Sequence, residues 1–320
     1  GYRYYWNRNH PQAQQFYREL VAFAVNEIKT DLVHLDNYHV GPGRDAVSVG
    51  RFREYLRKTF SPAELRQAGV EESLDSIQPP TKDSPLLLRC AWADFSCQSL
   101  ADSYAEMARY ARSLRVNVLM ECNPLGVPPT IIPPIDHGRL LQGGEAYWDE
   151  SGEPGLRDGA LHCRIRTYKV GRAMQNMAFS YITSPLEAAE SMAFNLDCLG
   201  AICWFEYGKI VKRPGSKEPM STELGPYVDF YRYRRDLFRK ARVVADVAVL
   251  RSFPSQVFAE PNNALLTSRV EDLMIFFRMP FQILHDHQLR DASRYPALVL
   301  AGCVAMGDAQ VEQVRRYVED

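Results

Sequence analysis

A chain of 320 residues can form one large domain or two ordinary ones, and its 38 basic and 39 acidic residues nearly cancel. That balance, with no basic tract, argues against an electrostatically driven nucleic-acid partner. No apolar run reaches the roughly 18 residues of a membrane span. The seven cysteines lie among apolar neighbours without CxxC spacing, which reads as free thiols in a reducing, cytoplasmic setting rather than a disulfide frame or a zinc site.

In chain order, an aromatic run, Tyr2 to Trp6, precedes a helix opened by Asn9 and Pro11, with Phe16, Leu20, Phe23, Ala24 and Ile28 at helical spacing. A short apolar strand, TDLVHLDNYHV from Thr30 to Val40, then ends abruptly in Asp36, Asn37, Tyr38 and His39. Barrel enzymes carry catalytic residues at the C-terminal ends of strands, but Asp and Asn are also good turn formers, so the tip alone leaves both readings open. His34, inside the strand, reads as a hydrogen-bonded core residue. An amphipathic helix with Val49, Phe52, Leu56 and Phe60 on one face follows, then a polar, proline-bearing loop from Glu71 to Pro85.

A long helix, Leu86 to Leu114, leads to a second strand, Val116 to Met120, tipped by Glu121, Cys122, Asn123 and Pro124. The proline-rich stretch from Asn123 to Pro134 is a long loop of the kind that usually carries function. A third strand, Glu145 to Trp148, ends in Asp149 and Glu150 and runs into a glycine-bearing loop that includes Glu153. A helix over Leu161 to Met177, a strand at Ala178 to Ile182, a helix from Ser184 and Pro185 to Gly200, and a strand Ala201 to Phe205 tipped by Glu206 and Tyr207 continue the alternation. By default Arg164, Arg166 and Lys169 form an exposed helix face. Five strands separated by helices indicate an α/β fold with a parallel sheet.

After a helix at Pro226 to Arg239, strands at Val243 to Leu250, Phe281 to Leu284 and Tyr295 to Ala301, with helices at Leu265 to Arg278 and Asp308 to Val318, resemble the start of a doubly wound sheet. Cys303 lacks a nucleophile-elbow pattern and reads as buried and inert. There is no GxGxxG after a strand, no GxxxxGK[ST], no HExxH and no GxSxG, and no cofactor or metal is expected.

The run from Tyr5 to Phe60, the segment AYWDESGEPG from Ala146 to Gly155, and the join from Tyr227 to Ser252 resemble glycoside hydrolases related to the family 42 β-galactosidases. The resemblance implies a (β/α)8 TIM-type barrel, here incomplete as strands four to eight over residues 1–241. A partial flavodoxin-like domain, similar to class I glutamine amidotransferases and used for trimerisation, would then occupy residues 242–320. Strands one to three would precede Gly1, and the chain would be a segment of a longer protein. Its open strand edges should make it unstable alone. Implied partners are a carbohydrate substrate and other copies in a homotrimer, with no nucleic acid and no membrane.

In family 42 the acid/base is a glutamate after an asparagine on strand four and the nucleophile a glutamate on strand seven. Here strand four ends in Asp36-Asn37, and the strand-seven candidate, Phe179 to Ser184, carries no carboxylate. The sequence resembles instead those barrel glycosidases with an aspartate nucleophile on strand four and an acid on strand five or six. Glycosidic cleavage needs one carboxyl group to protonate the leaving oxygen and a second to attack or to activate water from the opposite face. The expected pair is Asp36 as nucleophile and Glu150 as acid/base, with Asp149 raising the acid's pKa by like-charge repulsion. Glu121 competes for the acid/base role. Aromatic platforms and hydrogen-bonding groups expected around the sugar are Trp6, Asn7, Asn37, Tyr38, His39, Asn123 and Trp148. The other class of function open to the sequence is a carbohydrate-binding or assembly protein whose catalytic pair has been lost.

Overall fold

The computed structural model describes residues 6–70, 73–151, 155–157, 160–202, 205–206, 209–210 and 223–319. Tyr2 to Tyr5, Glu153, Cys203 and Tyr207 lie outside them. The fold is mixed α/β with parallel sheets, and the chain divides into two compact units, residues 1–122 with 130–144, and residues 123–129 with 145–320. Among the described residues no helix is long and apolar enough to cross a membrane.

In the first unit, α1 (Pro11–Phe23) starts on a proline, whose missing N–H is no loss at that position. It runs into a π-turn, Ala24–Ile28, that Lys29 ends in the left-handed region. Strand β1 (Leu32–Leu35) follows. Helix α2 (Ala46–Thr59) is capped by Asp45, whose carboxylate accepts from the N–H groups of Val47 (3.0 Å) and Ser48 (3.2 Å). The short α3 (Pro62–Gln67) has a Ser61/Glu64 capping box. Helix α4 (Leu86–Leu114) supplies much of the core. Phe52, Leu56, Leu65, Ile77, Leu88 and Phe95 form one buried cluster from α2, α3, α4 and the loop before α4, and Trp92 meets Phe52 edge-on at 5.0 Å.

Strand β2 (Leu119–Cys122) lies parallel to β1, with His34 opposite Glu121 and Leu35 opposite Cys122. The expected strand at Val116 to Met120 is therefore shifted. The chain turns after α4, with the Val118 N–H bonded to the Arg115 carbonyl (3.2 Å) and Val116 exposed, so pairing begins at Leu119 and Glu121 lies inside the strand. Helix α5 (His137–Leu140) completes the unit.

In the second unit β3 (Ala146–Asp149) and β6 (Met177–Ile182) pair in parallel, with Trp148 opposite Phe179 and Asp149 opposite Ser180. Strand β7 (Ala201–Ile202) extends the same side. The helix expected from Leu161 is shorter. Residues 160–162 form β5 (Ala160–His162), antiparallel to β4 (Gly155–Arg157), and α6 spans only Ile165–Ala173. Helix α7 (Pro185–Phe194) opens on a Ser184/Glu187 capping box and stops at Asn195 rather than at Gly200. A small antiparallel pair, β8 (Phe205–Glu206) with β9 (Lys209–Ile210), precedes α8 (Gly225–Arg239).

The remaining residues build a parallel sheet of order β11-β10-β12 from β10 (Val247–Arg251), β11 (Phe281–His285) and β12 (Ala297–Val299). Around it lie α9 (Phe253–Val257), α10 (Pro261–Phe276) and α11 (Asp308–Glu319). Strand β10 starts at Val247, not Val243, because its neighbours begin pairing there, at Phe281 and Ala297. Arg251, at the end of β10, makes a bidentate pair with buried Glu271 of α10 (2.7 and 2.9 Å) and donates to the carbonyls of Pro128 (3.1 Å) and Pro129 (3.3 Å). The loop that follows β2 thus belongs physically to the second unit.

Replacing Phe52, fully buried in the first unit's cluster, by alanine is expected to cost about 3–5 kcal/mol in urea unfolding. Leu86→Ala, at an exposed position, should change stability by no more than about 0.5 kcal/mol.

Candidate active site

The parallel register of β1 and β2 sets the centre of the first unit's site. With His34 directly opposite Glu121, the imidazole Nδ1 lies 3.1 Å from Glu121 Oε2, and its Nε2 lies 3.6 Å from Asp36 Oδ1. One ring thus stands between two carboxylates. Glu121 is buried, and its Oε1 meets no hydrogen-bond donor among the described residues. Asp36 is open to solvent and also accepts from the side-chain amide of Asn37, a residue in the left-handed region that asparagine tolerates. The hydrogen bond to Glu121 raises the His34 pKa; burial opposes this, and the Glu121 and Asp36 charges add to it. His34 is therefore not the core residue expected, because its partners depend on a strand register that its own sequence neighbours do not reveal.

The other predicted residues of this unit divide by their surroundings. Trp6 is half exposed and stacked on Phe16 at 4.7 Å, leaving indole surface free. Asn7 donates its amide to Asp45 and to Ser48 Oγ (2.9 Å) and accepts at Oδ1 from the Asn9 N–H (3.0 Å), which commits it to the start of α2. Tyr38 is buried, donates to Ser103 Oγ (2.9 Å), lies under the Arg8 guanidinium (3.9 Å) and has its pKa pushed up by burial. His39 is half-buried.

In the second unit Glu150 is exposed immediately after β3, while Asp149 beside it is fully buried. Asp149 Oδ1 accepts from the Ser151 N–H (2.6 Å), and Oδ2 has no partner among the described residues. Gly126 packs against this carboxylate so closely that a Cβ there would overlap it. Asn123 is buried and accepts from the Leu125 N–H (3.2 Å), an Asx turn that starts the proline loop. Trp148 is half-buried, stacked on Phe179 (6.0 Å) and edge-on to Tyr181 (5.2 Å).

Arg164, expected on an exposed helix face, is buried. It precedes α6 instead of lying on it, because residues 160–162 are strand. Its guanidinium reaches Glu187 Oε1 (2.9 Å), the Tyr181 carbonyl (3.1 Å) and the Ser151 carbonyl (2.8 Å), and its N–H donates to Glu190 Oε1 (3.0 Å). Arg166 is likewise withdrawn, paired with buried Glu271 at 2.5 Å. Both oxygens of Glu187 are engaged, one by Arg164 and the other by Thr183 and Ser184. Burial alone would raise the Glu187 pKa, but the Thr183 hydroxyl and N–H and the Arg164 charge hold it below the ordinary value. Burial lifts Glu190 to about 7. A sequence signal existed: Glu187 and Glu190 are three apart beside Ala188 and Ser191, a face too small and apolar to leave carboxylates without a cation.

Among the described residues no His, Cys, Asp or Glu group is arranged to hold a metal ion. Chemically, the first unit's triad of Asp36, His34 and Glu121 can attack an electrophile from an exposed carboxylate and move a proton through an imidazole to a buried one.

Compared with solved structures, the fold is similar to a β-galactosidase from Bacillus circulans sp. alkalophilus, with a TM-score of 0.73 and 13% identity over 99% of this chain and 54% of that one. It is also similar to one from Rahnella sp. R3, with a TM-score of 0.71 and 12% identity over 93% and 51%. A catalytic mutant of a GH42 β-galactosidase from G. stearothermophilus gives a TM-score of 0.62 and 11% identity over 97% and 54%. The chain thus spans about half the length of these structures, and the likeness is one of fold. No protein-family model matches the sequence, and no curated protein does.

The His34 ring should titrate above the ordinary histidine value in an NMR pH series, and Glu121→Gln should lower the midpoint more than Asp36→Asn. Because the folded value is raised, the stabilisation from this contact is complete at pH below the ordinary histidine value and fades as pH rises through the raised one. Glu190 behaves as a buried acid. The folded chain keeps its proton between about pH 4.5 and 7, where the unfolded chain loses it, so stability falls as pH rises through that window. Relative to wild type, Glu190→Gln should therefore be more stable at pH 8 than at pH 4 by ~2–3 kcal/mol in denaturant unfolding.

Proposed function

We propose that this chain is part of a glycoside hydrolase of the β-galactosidase type, with Asp36 as nucleophile and Glu121 as acid/base. The observation that carries the reading is the His34 imidazole held between those two carboxylates where the adjacent parallel strands β1 and β2 end, on a fold similar to that of β-galactosidases. In this reading β1, β2, β3, β6 and β7 are barrel strands four to eight, residues 1–241 belong to the barrel, and residues 242–320 begin a flavodoxin-like domain through which a homotrimer forms.

The chemistry follows from the surroundings of each group. Asp36 is solvent-exposed, which suits its carboxylate to attack an anomeric carbon. The proton shared by the His34–Glu121 pair goes to the leaving oxygen, and the pair takes a proton back from the water that hydrolyses the glycosyl-Asp36 intermediate. Trp6 offers an exposed indole face for a sugar ring, with Asn37 and His39 as hydrogen-bonding groups. Tyr38 and Asn7 are assigned supporting roles, in the core and at the α2 cap. Glu150, with Asp149, Trp148 and Asn123 near the ends of β3 and β2, is the alternative acid/base set.

One observation favours a second reading, a carbohydrate-binding or assembly protein without turnover. The end of β6, the strand-seven position, carries Thr183 and Ser184, and the carboxylate nearest in sequence, Glu187, has both oxygens engaged in holding the start of α7 and Arg164.

The test is a panel of aryl glycosides, aryl β-galactosides included, with the full-length protein. Asp36→Asn and Glu121→Gln are expected to lower kcat/KM by about 10²–10⁴-fold with the circular-dichroism spectrum of the folded chain retained, and Glu150→Gln to have little effect. Loss at Glu150 with Glu121→Gln active would transfer the acid/base role. Sugar binding by calorimetry with no turnover on the whole panel would establish the second reading.

A further inference from the structure

The second unit contains a cavity of about 460 Å³ that the proposed chemistry does not use. Its walls are apolar, with Phe194, Met274, Met279 and Phe281 among them, and its charged lining consists of Lys169, Arg172, Arg242 and Arg278. Among the described residues no Asp or Glu lines it. That volume is of the size that holds a small organic molecule.

Among the described residues Lys169 and Arg172 have no ion-pair partner. The Lys169 ammonium donates to the Phe281 carbonyl (2.6 Å) and lies over the rings of Phe281 (4.4 Å) and Phe194 (5.7 Å); among the described residues it has no carboxylate partner. Arg172 is half-buried with its guanidinium on the carbonyls of Asn195 (2.6 Å) and Ala241 (2.9 Å), again with no ion pair among the described residues. The contrast within the same helix is informative, since Arg166, one turn earlier on α6, is fully paired with Glu271 and Asp272. Withdrawing an ammonium from water without a counter-charge is unfavourable. Burial and the neighbouring Arg172 push the Lys169 pKa down to about 8.

We propose that this cavity binds an amphipathic organic anion, a molecule with an apolar body and a single carboxylate, the carboxylate pairing with Lys169 and the body lying against Phe194, Met274 and Phe281. One carbonyl satisfies one of three ammonium donors, so the other two are available to a carboxylate. Arg172, with two of its five N–H donors on the Asn195 and Ala241 carbonyls, adds positive charge beside Lys169. Arg242 and Arg278, both exposed, draw an anion toward the opening. The site is independent of the Asp36 and Glu121 chemistry.

Titration calorimetry of the full-length protein with octanoate, 1-octanol and acetate tests the proposal. Octanoate should bind at least about tenfold more tightly than either 1-octanol, which lacks the charge, or acetate, which lacks the body, a difference of about 1.4 kcal/mol or more. Lys169→Met should weaken octanoate at least about tenfold and leave 1-octanol unchanged. Arg278→Glu, at an exposed position outside the core, should also weaken octanoate and keeps the test valid if Lys169→Met does not fold. Octanoate affinity should fall as pH rises above about 8, where Lys169 loses its proton. Octanoate binding equal to that of octanol or acetate, indifference to both substitutions, or no octanoate binding because another copy of the chain covers the cavity would overturn it.

Discussion

The register of β1 against β2 is the constraint on which the first unit's chemistry depends. Parallel strands slide by whole residues, and a slip by one would turn every side chain to the other face. With Leu32 opposite Leu119, the alternation puts Val33, Met120 and Cys122 in the core and leaves His34 and Glu121 as direct neighbours. The buried apolar residues fix the slide, and the polar contact follows from it. His34 and Glu121 inherit the stiffness of the sheet, and Asp36 stands in the turn immediately after β1.

The second unit solves a different problem, the burial of charge. Arg164, Arg166 and Arg251 are withdrawn from water, and each meets a carboxylate and at least one backbone carbonyl, Arg251 gripping Glu271 in the fork geometry that guanidinium groups favour. Such pairs add little net stability over well-packed apolar residues, yet removing one partner leaves the other uncompensated. They act mainly as fixed joints. Arg164 ties the carbonyl of Ser151, one residue past Glu150, to the end of β6 and to the start of α7. Lys169 and Arg172 on the same helix stand outside that scheme.

Much of the element order was legible in the sequence. The five strand positions before residue 206, the long α4 helix and the β10 to β12 sheet all follow from apolar periodicity and from prolines and caps at the boundaries. What the sequence could not show depends on partners distant in the chain. The start of β2 is set by where β1 lies, so Glu121 moved from a strand tip into the strand. His34 looked like a core residue because its neighbours are apolar, whereas its ring is used between carboxylates at positions 36 and 121. Arg164 looked exposed because a helical pattern was extended through residues that pair as a small β-ribbon. Tyr38 and Trp148 were readable as partly core, since large aromatics at strand ends usually keep one face packed.

The grip of Arg251 on the carbonyls of Pro128 and Pro129 means that neighbours in sequence are not neighbours in assembly order. Prolines have no N–H to offer, so this loop cannot hold itself by turn hydrogen bonds at those positions and takes its donors from a residue more than 120 positions later. Those two carbonyls gain these donors only where β10 lies against the loop, so a segment made much later secures one made early.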